Sequence, residues 1–387
     1  MTMPSTWTFL LSLFVLLSFS LPVNASQFFT DEEKSQILAQ GPWPPKASLD
    51  HTNRYSGNSQ AIALGESLFN DKNLSSSGEF SCSSCHDKNK YFADGLKVAI
   101  AAGKNPRNTP SLVNSKFQRW FGWGGSVDTL WGVGLRAILN PLEMDSSADH
   151  VSQYISSNQK LTQQVKTLLP PDTQPTTADE HLVIIGKIIA SFIETLVSKE
   201  TPFDRFRQAI AEDDKDAMAT YPLAAKRGLK FFLGRGRCTV CHFGPLFTNK
   251  EFADIGIPYF VKPGTVDKGR YQGIKDFKTS SFNRAGPYSD GKAGAQTLLT
   301  GRIKLQHRNW GEFRVPSLRS VADTAPYMHN GSVKSLTEVI DHYSELNEDR
   351  LHTDGIAILR SLNMSPTEKS DLVAFLKSLS AENPKGD

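Results

Sequence analysis

Two short stretches of the chain, Cys82-Ser83-Ser84-Cys85-His86 and Cys238-Thr239-Val240-Cys241-His242, each set two thiols beside an imidazole. Cys-x-x-Cys-His is the attachment signature of a c-type haem. The thiols add across the porphyrin vinyl groups, and the neighbouring imidazole binds iron from one face. These four are the only cysteines in 387 residues. Paired cysteines also make disulfides in exported proteins or zinc ribbons, but neither needs a histidine after both pairs. The pattern therefore predicts two covalent haems, with His86 and His242 as iron ligands.

An electron carrier usually closes the other iron face with His or Met. After His86, however, the next Met is Met144 and the next His is His150. In the second half the candidates are Met328, His329, His342, Tyr343 and Met364. Met364 stands where small cytochromes c carry an axial Met, but the preferred reading is a core residue before a helix cap.

The elements that must position these groups repeat. "IALGESLF" (62–69) and "AAKRGLKFF" (224–232) have helical spacing and each lead into a haem motif. Downstream, "TPSLVNSKFQRWFGWGGSVDTL" (109–130) aligns without gaps on "VPSLRSVADTAPYMHNGSVKSL" (315–336), at a constant offset of 206. The same offset sets Ala137 against Tyr343, Arg136 against His342 and Trp123 against His329. If Tyr343 reaches iron in the second half, the matching group in the first is a methyl. Tyr343 could also simply pack on a helix. An open iron position suits a haem that activates a substrate, and a closed one suits electron transfer. Peroxide at an open site needs a group to move a proton between its oxygens. Glu143, between Leu142 and Met144, could be semi-buried with a raised pKa; a lone Glu is otherwise a solvated charge. Trp123 could relay electrons between the halves or fill their interface.

The spacing from Cys to the shared Pro-Ser-Leu is 25 residues in the first half (Cys85 to Pro110) and 75 in the second (Cys241 to Pro316). The extra 50 residues, mostly 262–310, read as a long functional loop. "HLVIIGKIIASFIETLVS" (181–198) has helical spacing, and Ser365, Pro366 and Glu368 form an N-terminal cap for a last helix. Few strands are expected. The predicted fold is mainly α: two tandem cytochrome c-like haem domains related by internal duplication, with long irregular loops. Residues 57–205 and 206–387 form the two domains, behind an N-terminal extension at 26–56.

Residues 9–21 are almost wholly apolar, and Val23-Asn24-Ala25 resembles a small-x-small cleavage site. No Lys or Arg precedes that run, so the usual basic region is missing. Residues 1–25 read as an export signal to the periplasm, with no membrane span in the mature chain. A net charge of +3, from 43 basic and 40 acidic residues, and the lack of a basic cluster speak against a nucleic-acid partner.

Together these residues resemble the bacterial di-haem cytochrome c peroxidase family, including its MauG-like members. The match runs from about residue 57 to 379 and includes "RNTPSLVN", "FRVPSLRSVADTAPYMHNGS" and "LTEVIDHY". The resemblance implies that the N-terminal haem is the peroxide site and the C-terminal haem handles electrons. It puts Trp123 on the inter-haem Trp, Glu143 on the distal Glu, and Tyr343 on a distal position that is Met in ordinary members and Tyr in MauG-like ones. It also implies a calcium ion held by Asn108 and the backbone oxygens of Thr324 and Pro326. Ordinary members carry a His between the first haem motif and the Arg-Asn-Pro run. Here residues 97–104 contain none, which implies a haem open without reductive activation. "GPWPP", "RWFGW", "NRAGPYSD" and "QHRNWGEFRVPSL" resemble the methanobactin-associated branch, whose activity is peroxide-driven oxidation of a Trp in a partner protein.

The family pattern is also departed from. Its Trp-Asp-Gly is Trp123-Gly124-Gly125, its distal Gln is Val133 and its distal Pro is Ala137. Losing the Gln removes a hydrogen-bond partner near bound peroxide. The expected function is a periplasmic di-haem peroxidase-like enzyme. It would use hydrogen peroxide at a five-coordinate N-terminal haem and share the oxidising equivalents with the second haem. A redox partner protein, oxidised at an aromatic residue, would complete the reaction. The alternatives are peroxide detoxification with electrons from a small cytochrome or cupredoxin, and a non-enzymatic di-haem electron carrier.

Overall fold

Each haem motif follows a helix whose apolar positions recur at three- and four-residue spacing, so each helix must bury one face. A computed structural model of the chain describes residues 28–381 apart from 47, 172, 258–259, 263, 292–300 and 347–358. The signal expected at 1–25 and part of the 262–310 loop lie outside the described residues. The first helix, Ser59–Phe69, starts where the Asn58 side chain accepts from Ala61 N, and it buries Ala61, Leu64, Gly65, Leu68 and Phe69. Its counterpart, Leu223–Leu233, buries Ala225, Gly228, Leu229, Phe231, Phe232 and Leu233.

Each of these packs on a later helix of its own half. Ala178–Ile193 opens with a capping box between Thr177 and Glu180. Pro366–Lys377 opens with the predicted one, Ser365 and Glu368, with Pro366 in its first turn. At both crossings a glycine meets backbone. A Cβ on Gly65 would lie 2.3 Å from Ile188 O, and one on Gly228 would lie 2.0 Å from Asp371 O. The two halves thus use the same device to bring their helices into contact.

Two separate hydrophobic cores result. One gathers Leu68, Phe69, Trp131, Leu135 and Ile185. The other gathers Phe203, Phe232, Phe247, Ile340 and Phe375, and takes Phe29 and Ile37 from the N-terminal extension. The strands among the described residues are short and form two antiparallel pairs, Phe252–Ala253 with Phe313–Arg314 and Phe260–Lys262 with Thr265–Val266. The fold is mainly α, as expected. No helix among the described residues is long and apolar enough to cross a membrane.

The 206-residue repeat is present in the backbone. Asn114 and Ser320 both sit at positive φ (66° and 56°), as do Gly122 and Met328 (70° and 72°) and Gly125 and Gly331 (64° and 57°). Phe121 bridges Val127 as Tyr327 bridges Val333. Thr129 caps the helix Leu130–Leu139, and Ser335 caps the helix Leu336–Ser344. The halves then meet through equivalent atoms. Asn108 N donates to His329 O at 2.9 Å, and Arg314 N donates to Trp123 O at 2.8 Å. Residues 108 and 314 correspond, and so do 123 and 329. The seam is therefore a pseudo-twofold, self-complementary contact of the kind a symmetric dimer makes.

Candidate active site

Burial of an imidazole favours its neutral form, the form that ligates metal. Burial holds His86 and His242 below the usual histidine range. His86 Nδ1 lies 2.8 Å from Phe92 O, and His242 Nδ1 lies 2.9 Å from Phe247 O. A carbonyl only accepts, so Nδ1 must carry the proton and Nε2 keeps its lone pair for iron. Phe92 and Phe247 deliver those carbonyls from left-handed backbone, at φ 54° and 51°. Bulky residues seldom adopt that conformation, and here it turns each carbonyl back onto its ring.

The four thiols are free, and no set of three or more His, Cys, Asp or Glu among the described residues could hold a metal. Burial pushes Cys82 and Cys238 up to about 12 and Cys85 up to about 11, as expected of thiols set in an apolar cavity wall. Both cysteine pairs, both histidines, Trp123, Glu143 and Tyr343 border one connected cavity of about 730 Å³.

On the first half's side, Val133, Arg136 and Ala137 of the helix Leu130–Leu139 face this cavity with Glu143. Burial raises the Glu143 carboxyl, against the opposing charge of Arg136 and hydrogen bonds from Asn140 and Asn105. Both amides reach the same oxygen: Asn140 Nδ2 donates to Oε1 at 2.6 Å and Asn105 Nδ2 at 3.0 Å. Oε2 accepts no hydrogen bond among the described residues, which makes it the oxygen free to carry a proton.

On the second half's side, Tyr343 borders the cavity and packs against the second core. Its hydroxyl has no hydrogen-bond partner among the described residues. Burial raises its pKa, and the nearby Cys238 and Cys241 add to the rise. The other candidates part from it. His342 Nε2 meets Ile255 O at 2.8 Å. Met364 is 7% exposed within the second core and does not border the cavity. Met328 and His329 do border it.

At the seam, Trp123 is buried and its Nε1 donates to Asn108 O at 2.9 Å. Asn108 Oδ1 and the carbonyl oxygens of Thr324 and Pro326 accept no hydrogen bond among the described residues, and all three residues border the cavity. Such oxygens suit a hard cation.

Arg314 escapes a reading of motifs alone, and so does the state of His329, named there only as a candidate iron ligand. Arg314 and His329 are 9% and 4% exposed, and Arg314 Nε and His329 Nε2 are buried without a hydrogen-bond partner among the described residues. Arg314 has no carboxylate partner among the described residues, and burial alone brings it down to about 10. The His329 ring stacks on Phe313 at 3.5 Å, and its burial holds it at about 4. A buried cation and an orphaned nitrogen on a cavity wall call for an anionic ligand. Haem propionates supply one, so the donor set fits two haems. The repeat offset was the available signal, because it pairs Arg314 with Asn108 and His329 with Trp123.

Residues 59–212 match the family model of the di-haem cytochrome c peroxidase. The chain is 32% identical over 327 residues to the methylamine utilization protein MauG of Methylorubrum extorquens, covering 84% of this chain and 79% of that protein. It is 31% identical over 358 residues to cytochrome-c peroxidase IdrP1 of Pseudomonas sp. strain SCT, covering 88% and 87%. A solved MauG-like protein associated with microbial copper homeostasis superposes with a TM-score of 0.66 at 26% identity, covering 89% of this chain and 94% of that one.

Proposed function

The chain belongs to the di-haem cytochrome c peroxidase and MauG family of peroxide-using oxidoreductases, and from that premise we propose that hydrogen peroxide reacts on the His86 side of the cavity. The observation that carries this reading is the contrast at one repeat position. Ala137 and Tyr343 are equivalent and border the same cavity, but only Tyr343 has an atom able to reach a metal. A haem held by Cys82, Cys85 and His86 would supply an open iron for peroxide, and one held by Cys238, Cys241, His242 and Tyr343 a closed iron for electrons. Arg314 and His329 would hold propionates. Reduction of peroxide to two waters takes up two protons and two electrons. Glu143 Oε2 accepts the proton from one peroxide oxygen and returns it to the other, while Asn140 and Asn105 hold Oε1 in place. Trp123, at the seam, links the two sides.

The two electrons come from a partner protein, and in this proposal from an aromatic residue of that partner, a Trp. The free Tyr343 hydroxyl supports this, because a phenolate ligand lowers the potential of its haem and stabilises its oxidised state. A calcium ion at Asn108, Thr324 and Pro326 and export to the periplasm complete the proposal, with 57–205 and 206–387 as the two haem domains. Electron paramagnetic resonance of the ferric protein tests it. One high-spin and one low-spin haem are expected, and Tyr343→Phe should change only the low-spin signal. Two low-spin haems would overturn the open site. Rapid peroxide turnover with reduced cytochrome c would overturn the protein-oxidising arm.

A further inference from the structure

The long insertion of the second half crosses to the first and fastens there. Its anchor is Asp290. Lys187, 4% exposed on the helix Ala178–Ile193, donates to Asp290 Oδ2 at 2.5 Å and to Tyr288 O at 2.6 Å. Arg54 pairs with the same carboxylate: its Nε donates to Oδ1 at 2.7 Å and its backbone N to Oδ2 at 2.8 Å. Asp290 N donates to Thr52 O at 3.2 Å, and the Thr52 hydroxyl accepts from Trp131 Nε1 at 3.0 Å. Trp131 is fully buried in the first core, with the Lys187 ammonium 5.2 Å from its ring.

Eight residues earlier the same segment rests on the first half's cavity helix. Phe282 O accepts from Thr129 Oγ1 at 3.2 Å, and Thr129 is the residue that caps the helix Leu130–Leu139. Arg284 N donates to Asp128 Oδ1 at 2.8 Å. The contact is close enough to dictate a residue: a Cβ on Gly132 would lie 2.4 Å from Phe282 O. Phe282 and Tyr288, with ring centroids 5.6 Å apart, pack on the first core between these two attachments. One helical turn beyond the contact, the helix presents Val133, Arg136 and Ala137 to the cavity.

We propose that segment 282–290 is a strap through which the second half positions the distal wall of the first haem pocket, with Asp290 as its anchor and the Phe282 carbonyl as its bearing point. The proposal rests on the reading of the His86 side as the peroxide site. Lys187 sits on the first-half helix that packs on the cavity helix, and Arg54 at the end of the N-terminal extension, so the carboxylate ties the cavity helix's neighbours together from outside. Without the anchor, Lys187 would remain a buried charge with the Tyr288 carbonyl and the Trp131 ring but no carboxylate. The strap would lift, and the Thr129 end of the helix would lose its external support. Asp290 is a positioning residue: it acts on the pocket through Phe282 and Thr129.

The test uses ferric holoprotein, with cyanide as the probe of the open iron and the low-spin haem as internal control. Asp290→Asn keeps the shape and removes the charge. It should weaken cyanide binding about tenfold, within the roughly 2- to 30-fold by which residues remote from a ligand modulate its site. It should also broaden the high-spin resonance, leave the low-spin resonance unchanged and speed trypsin cleavage after Arg284. Asp290→Glu should recover part of the cyanide affinity. The double variant Lys187→Met/Asp290→Asn removes the buried cation together with its anchor; it should reproduce the effect and decides the matter if Asp290→Asn alone does not fold. Wild-type cyanide affinity and spectra in a folded variant would overturn the strap, whether or not cleavage speeds up. Wild-type protein that binds cyanide at neither haem would instead overturn the peroxide-site reading, and the strap with it.

Discussion

The two haem motifs are built alike on the proximal side and differently on the distal side. His86 and His242 use the same nitrogen, the same kind of carbonyl partner and nearly the same distance, 2.8 and 2.9 Å. The helices before them cross their partners at matching glycines, Gly65 and Gly228. Across the cavity the correspondence ends. Ala137 stands opposite Tyr343, and Trp123 opposite His329. Tyr343 has a side chain long enough to close its side, whereas the first half leaves its side to Glu143. Under the proposed function, a duplicated scaffold keeps what would seat a haem and changes what would meet the other iron face, so the difference between reacting with peroxide and passing electrons would rest on very few atoms.

The sharpest way to break this comparison is to erase it. Ala137→Tyr gives the first half the second half's side chain. We expect the high-spin resonance to convert to low-spin and the peroxide reaction to fall to background. Retained high-spin iron and full reactivity would mean that residue 137 does not face the iron. Overpacking of the cavity wall should cost about 1–3 kcal/mol, so the variant should be checked for cooperative unfolding.

A smaller effect is expected from Glu143→Gln, which keeps the hydrogen-bonding shape and removes the base. The bimolecular rate with peroxide should fall by about 10²–10⁴-fold. The pH profile sharpens the test. Burial raises the Glu143 pKa, so the carboxylate that accepts the peroxide proton is lost as pH falls through a value above the ordinary glutamate range. Stopped-flow rates should therefore show an acid limb displaced upward from that range, and the limb should vanish in the Gln variant. A limb that persists would assign the proton transfer to another group.

The smallest effects compare the scaffolds. Gly65→Ala and Gly228→Ala each force a methyl against backbone, and each should destabilise by about 1–3 kcal/mol in denaturant unfolding. Similar losses are expected, because at both crossings the added methyl would fall well inside contact distance of a backbone oxygen. A loss at one glycine alone would show that the two halves hold their haem helices differently.

Much of this was legible in the chain before any coordinates. Two Cys-x-x-Cys-His motifs carry their chemistry in the residue types, and a gapless offset of 206 carries the duplication. The Ser365–Glu368 box announced the last helix, since capping depends on side chains three residues apart. Glu143 was visible only as a candidate. Nothing in "NPLEM" says that Asn140 and a distant Asn105 converge on one of its oxygens.

What the sequence determined by itself is therefore local or periodic: the haem-attachment motifs, the helical character of the halves and their common origin. Tertiary structure decided the rest. It separated Tyr343 from Met364 and His342 by aiming one side chain at the cavity and the others at core and backbone. It brought residues 108 and 329, and 314 and 123, into one seam, and left Arg314 Nε and His329 Nε2 without hydrogen-bond partners among the described residues. It also carried Asp290 of the second half to Lys187 of the first. Motif spacing cannot encode such meetings. They depend on how two cores, far apart along the chain, pack against each other, and burial then sets which charges are paired and which are left for a ligand.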